Sequence, residues 1–487
     1  MLFNSLVFFA FFIVVTTAYF AIPHRYRWML LLASSCYFYM AFVPIYILIL
    51  GFTIVVDYFA GIYIEKSQGT TKKWLLIASL IANIGVLAFF KYYNFLNQNL
   101  TDLLYGIGYQ NPIPYLSILL PIGLSFHTFQ AMSYTIEVYR GNQKAERHFG
   151  IYALFVMFYP QLVAGPIERP QNLLHQFYEE HKFDYIRVTN GLKLMVWGLF
   201  KKVVIADRLA IVVNQVYDHP TDYDGMQLIL ATIFFSFQIF CDFSGYSDMA
   251  IGSAQVMGFK LMTNFNRPYF SKSISEFWKR WHISLSTWFR DYLYISLGGN
   301  KVVVTRWYLN LFIVFLISGL WHGANWTFVI WGALHGLYVI LDVATKTIRA
   351  KINVFFGLHE KSFLSKLLCI SSTFSMVTFA WIFFRAKNVD DASYIITHLF
   401  VGFAEYLNAS IFFHKLTNLG LSGIEMLVAI ISIILMELVH YRQRNMALRQ
   451  RLSDLSIWQR WSLYYAVILA IIIFGVFNNS QFIYFQF

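Results

Sequence analysis

The 487-residue chain is poor in charge: 13% of its residues are Asp, Glu, Lys or Arg, whereas 58% are hydrophobic and 20% are aromatic. Soluble globular domains carry charged residues at about a quarter of their positions, so the composition excludes a soluble globular chain. Apolar windows long enough to cross about 30 Å of hydrocarbon at about 1.5 Å per residue recur along the whole sequence. They predict a polytopic, all-α membrane protein.

Cysteine is also scarce. Cys36, Cys241 and Cys369 lie far apart within apolar runs, with no C-x-x-C pair and no spacing typical of metal ligands. We interpret them as buried packing residues, and a thiol nucleophile at Cys241 is a remote alternative. The sequence also lacks a P-loop, a dinucleotide-binding fingerprint and an H-E-x-x-H motif, so neither a metal site nor a tightly bound cofactor is predicted.

No polar stretch is long enough for a separate soluble domain, and residues 1–487 are predicted to form a single integral membrane domain. The first apolar window, residues 2–22, lacks a basic amino-terminal region and a small-residue cleavage site, so we expect a retained first span. Dividing the apolar windows by the length of a span gives roughly eleven transmembrane helices. Internal repeats of the kind that build many secondary transporters are not evident.

The formal net charge is +12, but the basic residues are spread over short loops beside apolar spans. Insertion rules and anionic lipid headgroups explain that placement, so no nucleic-acid partner is expected. Basic turns at 25–27 and 66–73 alternate with a predicted loop at 97–113, whose only charge is Asp102. The alternation places both termini outside the cytoplasm, including the tail NNSQFIYFQF, which follows a last basic stretch formed by Arg442, Arg444, Arg449 and Arg451.

Residues 271–300 are the most structured segment outside the predicted spans. Ser273 and Glu276 form the S-x-x-E pattern of a helix start, and Gly298 and Gly299 mark the helix end. One face at helical spacing is apolar and consists of Ile274, Phe277, Trp278, Trp281, Leu285, Trp288, Phe289 and Tyr292. The opposite face carries Glu276, Lys279, Arg280, Arg290 and Asp291. The pattern predicts an amphipathic helix on the cytoplasmic side, and a purely interfacial helix on the inner leaflet explains this segment equally well.

His322 lies deep in the apolar run LFIVFLISGLWHGANWTFVIWGALHGLYVILD, residues 311–342. An ionisable side chain inside a bilayer is costly and by default marks a functional site. A packed histidine satisfied by Ser318, Asn325 and a backbone carbonyl is an equally good explanation. Asn325 and Trp326 follow three and four residues later, so we expect them to share a helix face with His322, to orient its imidazole and to wall the site.

A second histidine, His282, falls at the border between the two faces of the 271–300 segment, where a side chain is able to point toward a cavity. A lone histidine at such a border is usually structural. Since His322 needs a partner at membrane depth, we expect the two imidazoles to converge in one passage. His335, further along the chain, is as well explained as a packing histidine.

Five segments together resemble the membrane-bound O-acyltransferase family, and within it the bacterial branch that acetylates alginate or transfers D-alanine to teichoic acid. They are PIGLSFHTFQAMSYTIEVYRG (121–141), PQLVAGPIERP (160–170), FCDFSGYSDMAIG (240–252), NFNRPYFSKSISEFWKRWHISLSTWFRDYLYISLGGN (264–300) and LWHGANWTFVIWGALHG (320–336). The resemblance implies a ring of helices around a funnel or tunnel, with a histidine at its throat that transfer requires. His322 matches that histidine, and His282 matches the second polar residue that faces it.

Acyl transfer from a thioester to a hydroxyl needs a base for the hydroxyl proton, and a neutral imidazole serves near neutral pH. We predict that His322 is this base and that His282 or Asn325 polarises the thioester carbonyl or helps to hold the tetrahedral oxyanion. The phosphates of coenzyme A, or the acidic surface of a carrier protein, are predicted to be bound by Lys279, Arg280 and Arg290.

The resemblance implies O-acetylation of an extracytoplasmic polysaccharide such as alginate by a protein of the bacterial cytoplasmic (inner) membrane. Acetyl-CoA or another acyl thioester would be the co-substrate. The implied partners are extracytoplasmic acetyltransferase proteins, the polysaccharide secretion machinery, membrane lipid and, for a carrier-borne donor, a cytosolic acyl carrier protein. D-alanyl transfer to teichoic acid, a transporter or channel with a histidine relay, and a structural scaffold are the alternatives that remain.

Overall fold

The computed structural model describes residues 1–117, 121–163, 165–355, 362–402, 404–405, 408–443, 452, 454–477 and 483. Within these residues the chain is helical and contains no β-strand, which confirms the predicted all-α class. Arg444, Arg449, Arg451 and all of the tail NNSQFIYFQF except Ile483 lie outside the described residues.

Eight helices in the described part of the chain are long and apolar enough to cross a membrane: Tyr46–Lys66, Gly69–Gly106, Gly225–Met257, Val304–His322, Trp326–Ala344, Phe363–Arg385, Gly423–Arg442 and Ile457–Phe474. A shorter apolar helix, Leu6–Ala21, precedes them. The chain is therefore a multi-pass membrane protein. The total of eleven spans and the ring arrangement stay predictions.

The remaining α-helices are His24–Met40, Leu124–Arg140, Phe149–Met157, Tyr159–Leu162, Pro170–Leu173, Tyr185–Phe200, Asp207–Asp218, Ile274–Trp278, Ile283–Trp288, Lys346–Phe355, Val389–His398 and Ala409–Thr417. Short 3-10 turns occupy Leu174–Tyr178, Pro220–Asp222 and Pro268–Phe270, and π-helical segments occupy Lys201–Ala206 and Phe289–Tyr294. The loop predicted at 97–113 is shorter than expected, because the helix Gly69–Gly106 continues into it.

The described chain divides into two compact units, and the first comprises Met1–Met195 and Ser247–Met262. A buried carboxyl group, Asp57, joins two of its helices. Asp57 accepts a hydrogen bond from Ser79 Oγ at 2.6 Å and from Asn83 Nδ2 at 2.8 and 2.9 Å. A buried carboxyl group is costly unless it is hydrogen-bonded, so these bonds hold the helices Tyr46–Lys66 and Gly69–Gly106 in register.

The second unit comprises Val196–Tyr246 and Thr263–Phe487 and contains every predicted site residue. Its helices Val304–His322 and Trp326–Ala344 form a tight hairpin. A methyl group added at Gly319 would overlap the carbonyl oxygen of Phe328, and one added at Gly332 would overlap that of Phe315. Glycine at both positions therefore lets the two backbones touch. The prediction of a single domain over 1–487 stays a prediction.

The segment 271–300 is not one continuous helix. It forms the helices Ile274–Trp278 and Ile283–Trp288 and the π-helical segment Phe289–Tyr294, with His282 in the left-handed region (φ 43°) between the first two. Two backbone hydrogen bonds to the preceding segment stabilise this break between the helices. Asn266 N donates to the Arg280 carbonyl, and Ile283 N donates to the Asn264 carbonyl, both at 2.9 Å. The predicted apolar face is confirmed, since all eight of its side chains are buried.

Candidate active site

His322 is the last residue of the helix Val304–His322, and a new helix begins at Trp326. The expectation that Asn325 and Trp326 share a helix face with His322 is wrong. Asn325 is the N-cap of the second helix: its Oδ1 accepts from Thr327 N at 3.0 Å, and its Nδ2 donates to the Lys387 carbonyl at 2.9 Å. Asn is a preferred N-cap residue, and here that role uses both ends of the amide.

The imidazole of His322 is buried, with 4% of the residue exposed. Aromatic rings surround it. Its ring centroid lies 4.8 Å from that of Trp321, 5.0 Å from that of Trp331 and 5.3 Å from that of Phe384, all in edge-to-face geometry. These rings place the imidazole of His322 in an apolar environment.

His282 is completely buried rather than directed along a membrane surface. Burial lowers the pKa of His282 to about 3, so this imidazole is neutral at physiological pH. The backbone at His282 is left-handed, a conformation that is uncommon for residues other than glycine and recurs at functional sites.

Asn264 fixes the orientation and the tautomer of His282. Asn264 Oδ1 lies 3.2 Å from His282 Nδ1, 3.2 Å from Ser284 N and 2.9 Å from Ser284 Oγ. The backbone N–H of Ser284 is only a donor, so the atom it contacts on Asn264 is the amide oxygen. His282 Nδ1 therefore carries the proton, and Nε2 carries the lone pair.

This tautomer does not suit the predicted role of His282 as a donor to a thioester carbonyl, because Nε2 is an acceptor. Asn325 is also unsuited to that role, since its amide caps a helix. Both candidates for polarising the carbonyl thus have other tasks. With Nδ1–H held by the oxygen of Asn264, Nε2 is the acceptor atom of the His282 ring.

The two predicted histidines lie against the same indole. The ring centroid of Trp321 is 6.3 Å from that of His282 and 4.8 Å from that of His322. Phe243 covers His282 from another side, with ring centroids 4.6 Å apart. The structure therefore brings the two histidines into one aromatic cluster, while their catalytic roles stay predictions.

The three predicted donor-binding cations differ in exposure and in their partners. Lys279 is exposed. Arg280 is half-buried and pairs with Glu276 at 2.5 Å, and Arg290 is exposed and pairs with Asp291 at 2.7 Å. Two of the three guanidinium or ammonium groups are thus partly neutralised by a neighbouring carboxylate. The binding of phosphates by these residues stays a prediction.

The second unit also contains a charged cluster that was not predicted from the sequence. The Lys202 ammonium, in the π-helical segment Lys201–Ala206, lies 2.8 Å from Asp207 Oδ1 and 2.7 Å from Asp242 Oδ1, and all three side chains are buried. Burial alone would lower the pKa of Lys202, but the carboxylates of Asp242 and Asp207 outweigh it and raise the pKa. No group of three or more His, Cys, Asp or Glu side chains within the described ranges is arranged to hold a metal ion.

Asn264 and Trp321 are also residues that the sequence analysis did not single out. Asn264 opens the segment 264–300, but its partner is 18 residues away, so no local pattern connects them. Trp321 precedes His322 directly, and its position in an apolar run gives the same signal as any packed aromatic residue.

The sequence of the chain is similar to those of known proteins. Residues 147–383 match the model of the membrane-bound O-acyltransferase family. A probable alginate O-acetylase of Azotobacter vinelandii is 38% identical over 446 residues, which cover 89% of this chain and 84% of the relative. A probable alginate O-acetylase of Pseudomonas aeruginosa is 40% identical over 80% of this chain and 73% of its own length.

A third relative is named for a different polymer. The peptidoglycan O-acetyltransferase of Helicobacter pylori is 38% identical over 389 residues, which cover 74% of this chain and 71% of the relative. Identity at this level over most of both chains extends far beyond the segments around His282 and His322. The chain belongs to the membrane-bound O-acyltransferase family and is an O-acyltransferase.

Proposed function

We propose that this protein transfers an acetyl group from a cytoplasmic thioester, with acetyl-CoA as the first candidate, for the O-acetylation of an extracytoplasmic polysaccharide such as alginate. The observation that carries the proposal is the pair of buried histidines, His282 and His322, whose rings both lie near the indole of Trp321. Two of the relatives are named for the acetylation of alginate and of peptidoglycan, which supports a polysaccharide as the final acceptor.

In the proposed reaction, His322 takes the proton of the acceptor hydroxyl while the hydroxyl oxygen forms a bond to the acyl carbon. The carbonyl π electrons move to oxygen, then return as the bond from carbon to sulfur breaks. The leaving thiolate takes the proton from the His322 imidazolium, so atoms and charge balance. His282, whose Nε2 is an acceptor, is proposed to hold the hydroxyl-bearing group by accepting a hydrogen bond.

The proposed setting is the bacterial cytoplasmic membrane, with both termini outside the cytoplasm. Lys279, Arg280 and Arg290 are proposed to attract the phosphates of coenzyme A or the acidic surface of a carrier protein. Extracytoplasmic acetyltransferase proteins and the polysaccharide secretion machinery are the proposed partners, because an acetyl group delivered through the membrane still has to reach a polymer.

Mass analysis of surface polysaccharide from cells that carry His322→Ala tests the proposal. Loss of a general base typically lowers a rate by about 10²- to 10⁴-fold, so acetyl esters should disappear while the protein stays in the membrane. His175→Ala is the matched control, since the His175 side chain is 58% exposed. The same analysis separates the alternatives: alanyl esters on teichoic acid would indicate D-alanyl transfer, and unchanged esters in His322→Ala would contradict a catalytic His322.

A further inference from the structure

Three rings beside His322 form a compact triangle inside the second unit. The ring centroids of Trp331 and His335 are 4.9 Å apart, those of Trp331 and Trp381 are 5.8 Å apart, and those of His335 and Trp381 are 6.3 Å apart. Each of the three residues is completely buried. Trp331 also lies 5.0 Å from His322, so the triangle adjoins the predicted base directly.

Each ring of the triangle carries an N–H donor. Trp278 Nε1 lies 3.3 Å from His335 Nδ1, and an indole nitrogen only donates. His335 Nδ1 is therefore the acceptor, and the proton of the neutral ring is on Nε2. His335 Nε2, Trp331 Nε1 and Trp381 Nε1 are all buried and have no acceptor among the described residues.

Three buried donors in one small region need an explanation, because the large majority of buried polar side-chain atoms in proteins have a hydrogen-bond partner. All three groups donate, so the partner is an acceptor. The side chains around the triangle include the rings of His322, Trp278 and Phe384. An anion buried among such rings would be costly, so the site favours an uncharged acceptor such as the carbonyl oxygen of an ester or thioester.

We propose that Trp331, His335 and Trp381 form the binding site for the carbonyl oxygen of the acyl group. The inference rests on the proposed function and fills the role for which His282 and Asn325 are unsuited. As the hydroxyl oxygen adds to the acyl carbon, negative charge develops on the carbonyl oxygen, and fixed N–H donors stabilise that charge more than they stabilise the ground state. When the thiolate leaves, the electron pair on the oxygen re-forms the carbon–oxygen double bond.

The test removes single N–H donors from otherwise similar rings. Replacing Trp331 by benzothienylalanine, in which sulfur takes the place of the indole N–H, keeps the size of the ring. The standard substitutions Trp331→Phe and Trp381→Phe also remove the N–H donor. Loss of one such donor typically lowers kcat by about 10²- to 10³-fold. We expect a fall of at least tenfold in kcat for acetyl transfer from acetyl-CoA by the full-length protein in lipid vesicles, with a smaller change in the KM for acetyl-CoA.

The matched control is Trp326→Phe, which lies on the same helix and is 52% exposed. It should leave kcat within about twofold of the parent protein. Carbonyl-labelled acetyl-CoA gives a second readout: in the parent protein its carbonyl stretch should move to lower frequency on binding, and benzothienylalanine at 331 should reverse part of that shift.

The outcomes separate the two proposals. If the parent protein transfers no acetyl group from any thioester, the proposed function fails and the inference fails with it. If the parent protein transfers acetyl but benzothienylalanine at 331 and Trp381→Phe both retain the parental kcat and carbonyl frequency, only the carbonyl site is overturned. A variant that lowers thermal stability while kcat per folded molecule is unchanged assigns the triangle to packing and likewise overturns the inference.

Discussion

Two buried polar clusters in the second unit differ in how their polar groups are partnered. The Lys202 ammonium lies within 2.8 Å of two carboxylates, those of Asp207 and Asp242, so its positive charge offsets part of their buried negative charge. The cluster of His282, His322 and their neighbours is built from imidazole and aromatic rings, and the donors of Trp331 and Trp381 have no acceptor in the described part of the chain. We infer that a buried polar group with a partner inside the protein has a structural role, whereas buried donors without an acceptor in the described chain indicate a functional role.

Lys202→Met should disrupt the charged cluster and cause the largest loss of folding stability among these variants. The substitution leaves the carboxylates of Asp207 and Asp242 buried together, and breaking a buried ion pair costs about 3–5 kcal/mol. Thermal unfolding in detergent should show a strongly destabilised protein, and its amount in the membrane should fall. Lys301→Met, at an exposed position, is the control, and a Lys202→Met protein with parental stability would contradict the structural assignment.

Glu168 extends the comparison to a buried acid. It lies between the short helices Tyr159–Leu162 and Pro170–Leu173, and burial raises its pKa to about 7. The folded form therefore binds more protons than the unfolded form between about pH 4.5 and pH 7. Stability should be greatest below that window and fall by about 3 kcal/mol as the pH rises through it.

Glu168→Gln should remove this dependence, because the amide does not titrate. The measurement is the unfolding midpoint of the parent protein and the variant from pH 4.5 to pH 8. The contrary result is a parent protein and a variant whose midpoints change in parallel across the window.

Asn264→Leu should lower the rate per folded molecule, and it should also destabilise the fold, because Oδ1 of Asn264 accepts from Ser284 as well as from His282. The substitution removes the acceptor that holds Nδ1–H of His282, so the imidazole is free to change tautomer, and we expect a loss of about 10²-fold in kcat. Asn264→Asp keeps an oxygen acceptor and should restore part of the rate. Equal losses in Asn264→Leu and Asn264→Asp would argue that Asn264 only fills space.

The smallest effect is expected from the cations on the 271–300 segment. Replacing Lys279, Arg280 and Arg290 together by alanine should raise the KM for acetyl-CoA by about tenfold, which is about 1.4 kcal/mol, and leave kcat nearly unchanged. The effect should shrink at high salt, since exposed charges are screened. A KM that is independent of these three residues and of salt would remove them from donor binding.

The sequence predicts the all-α membrane fold, the buried face of the 271–300 segment and the two histidines of one cluster, because these features follow from composition and from spacing along the chain. The left-handed turn at His282 was not predictable, since it depends on bonds to Asn264 and Asn266 from outside the helices. Asn325 shows the reverse case. Its preference for the N-cap was a readable signal of the helix break, and the apolar run on either side obscured it.

The most direct measurement of the central claim is the rate of acetyl transfer per folded molecule of His322→Ala in lipid vesicles, with the folded fraction determined in the same sample. We expect a fully folded protein whose rate falls by at least about 10²-fold, as for the loss of a general base. A folded His322→Ala protein that transfers acetyl at the parental rate would contradict the assignment of His322 and, with it, the functional role of the aromatic cluster.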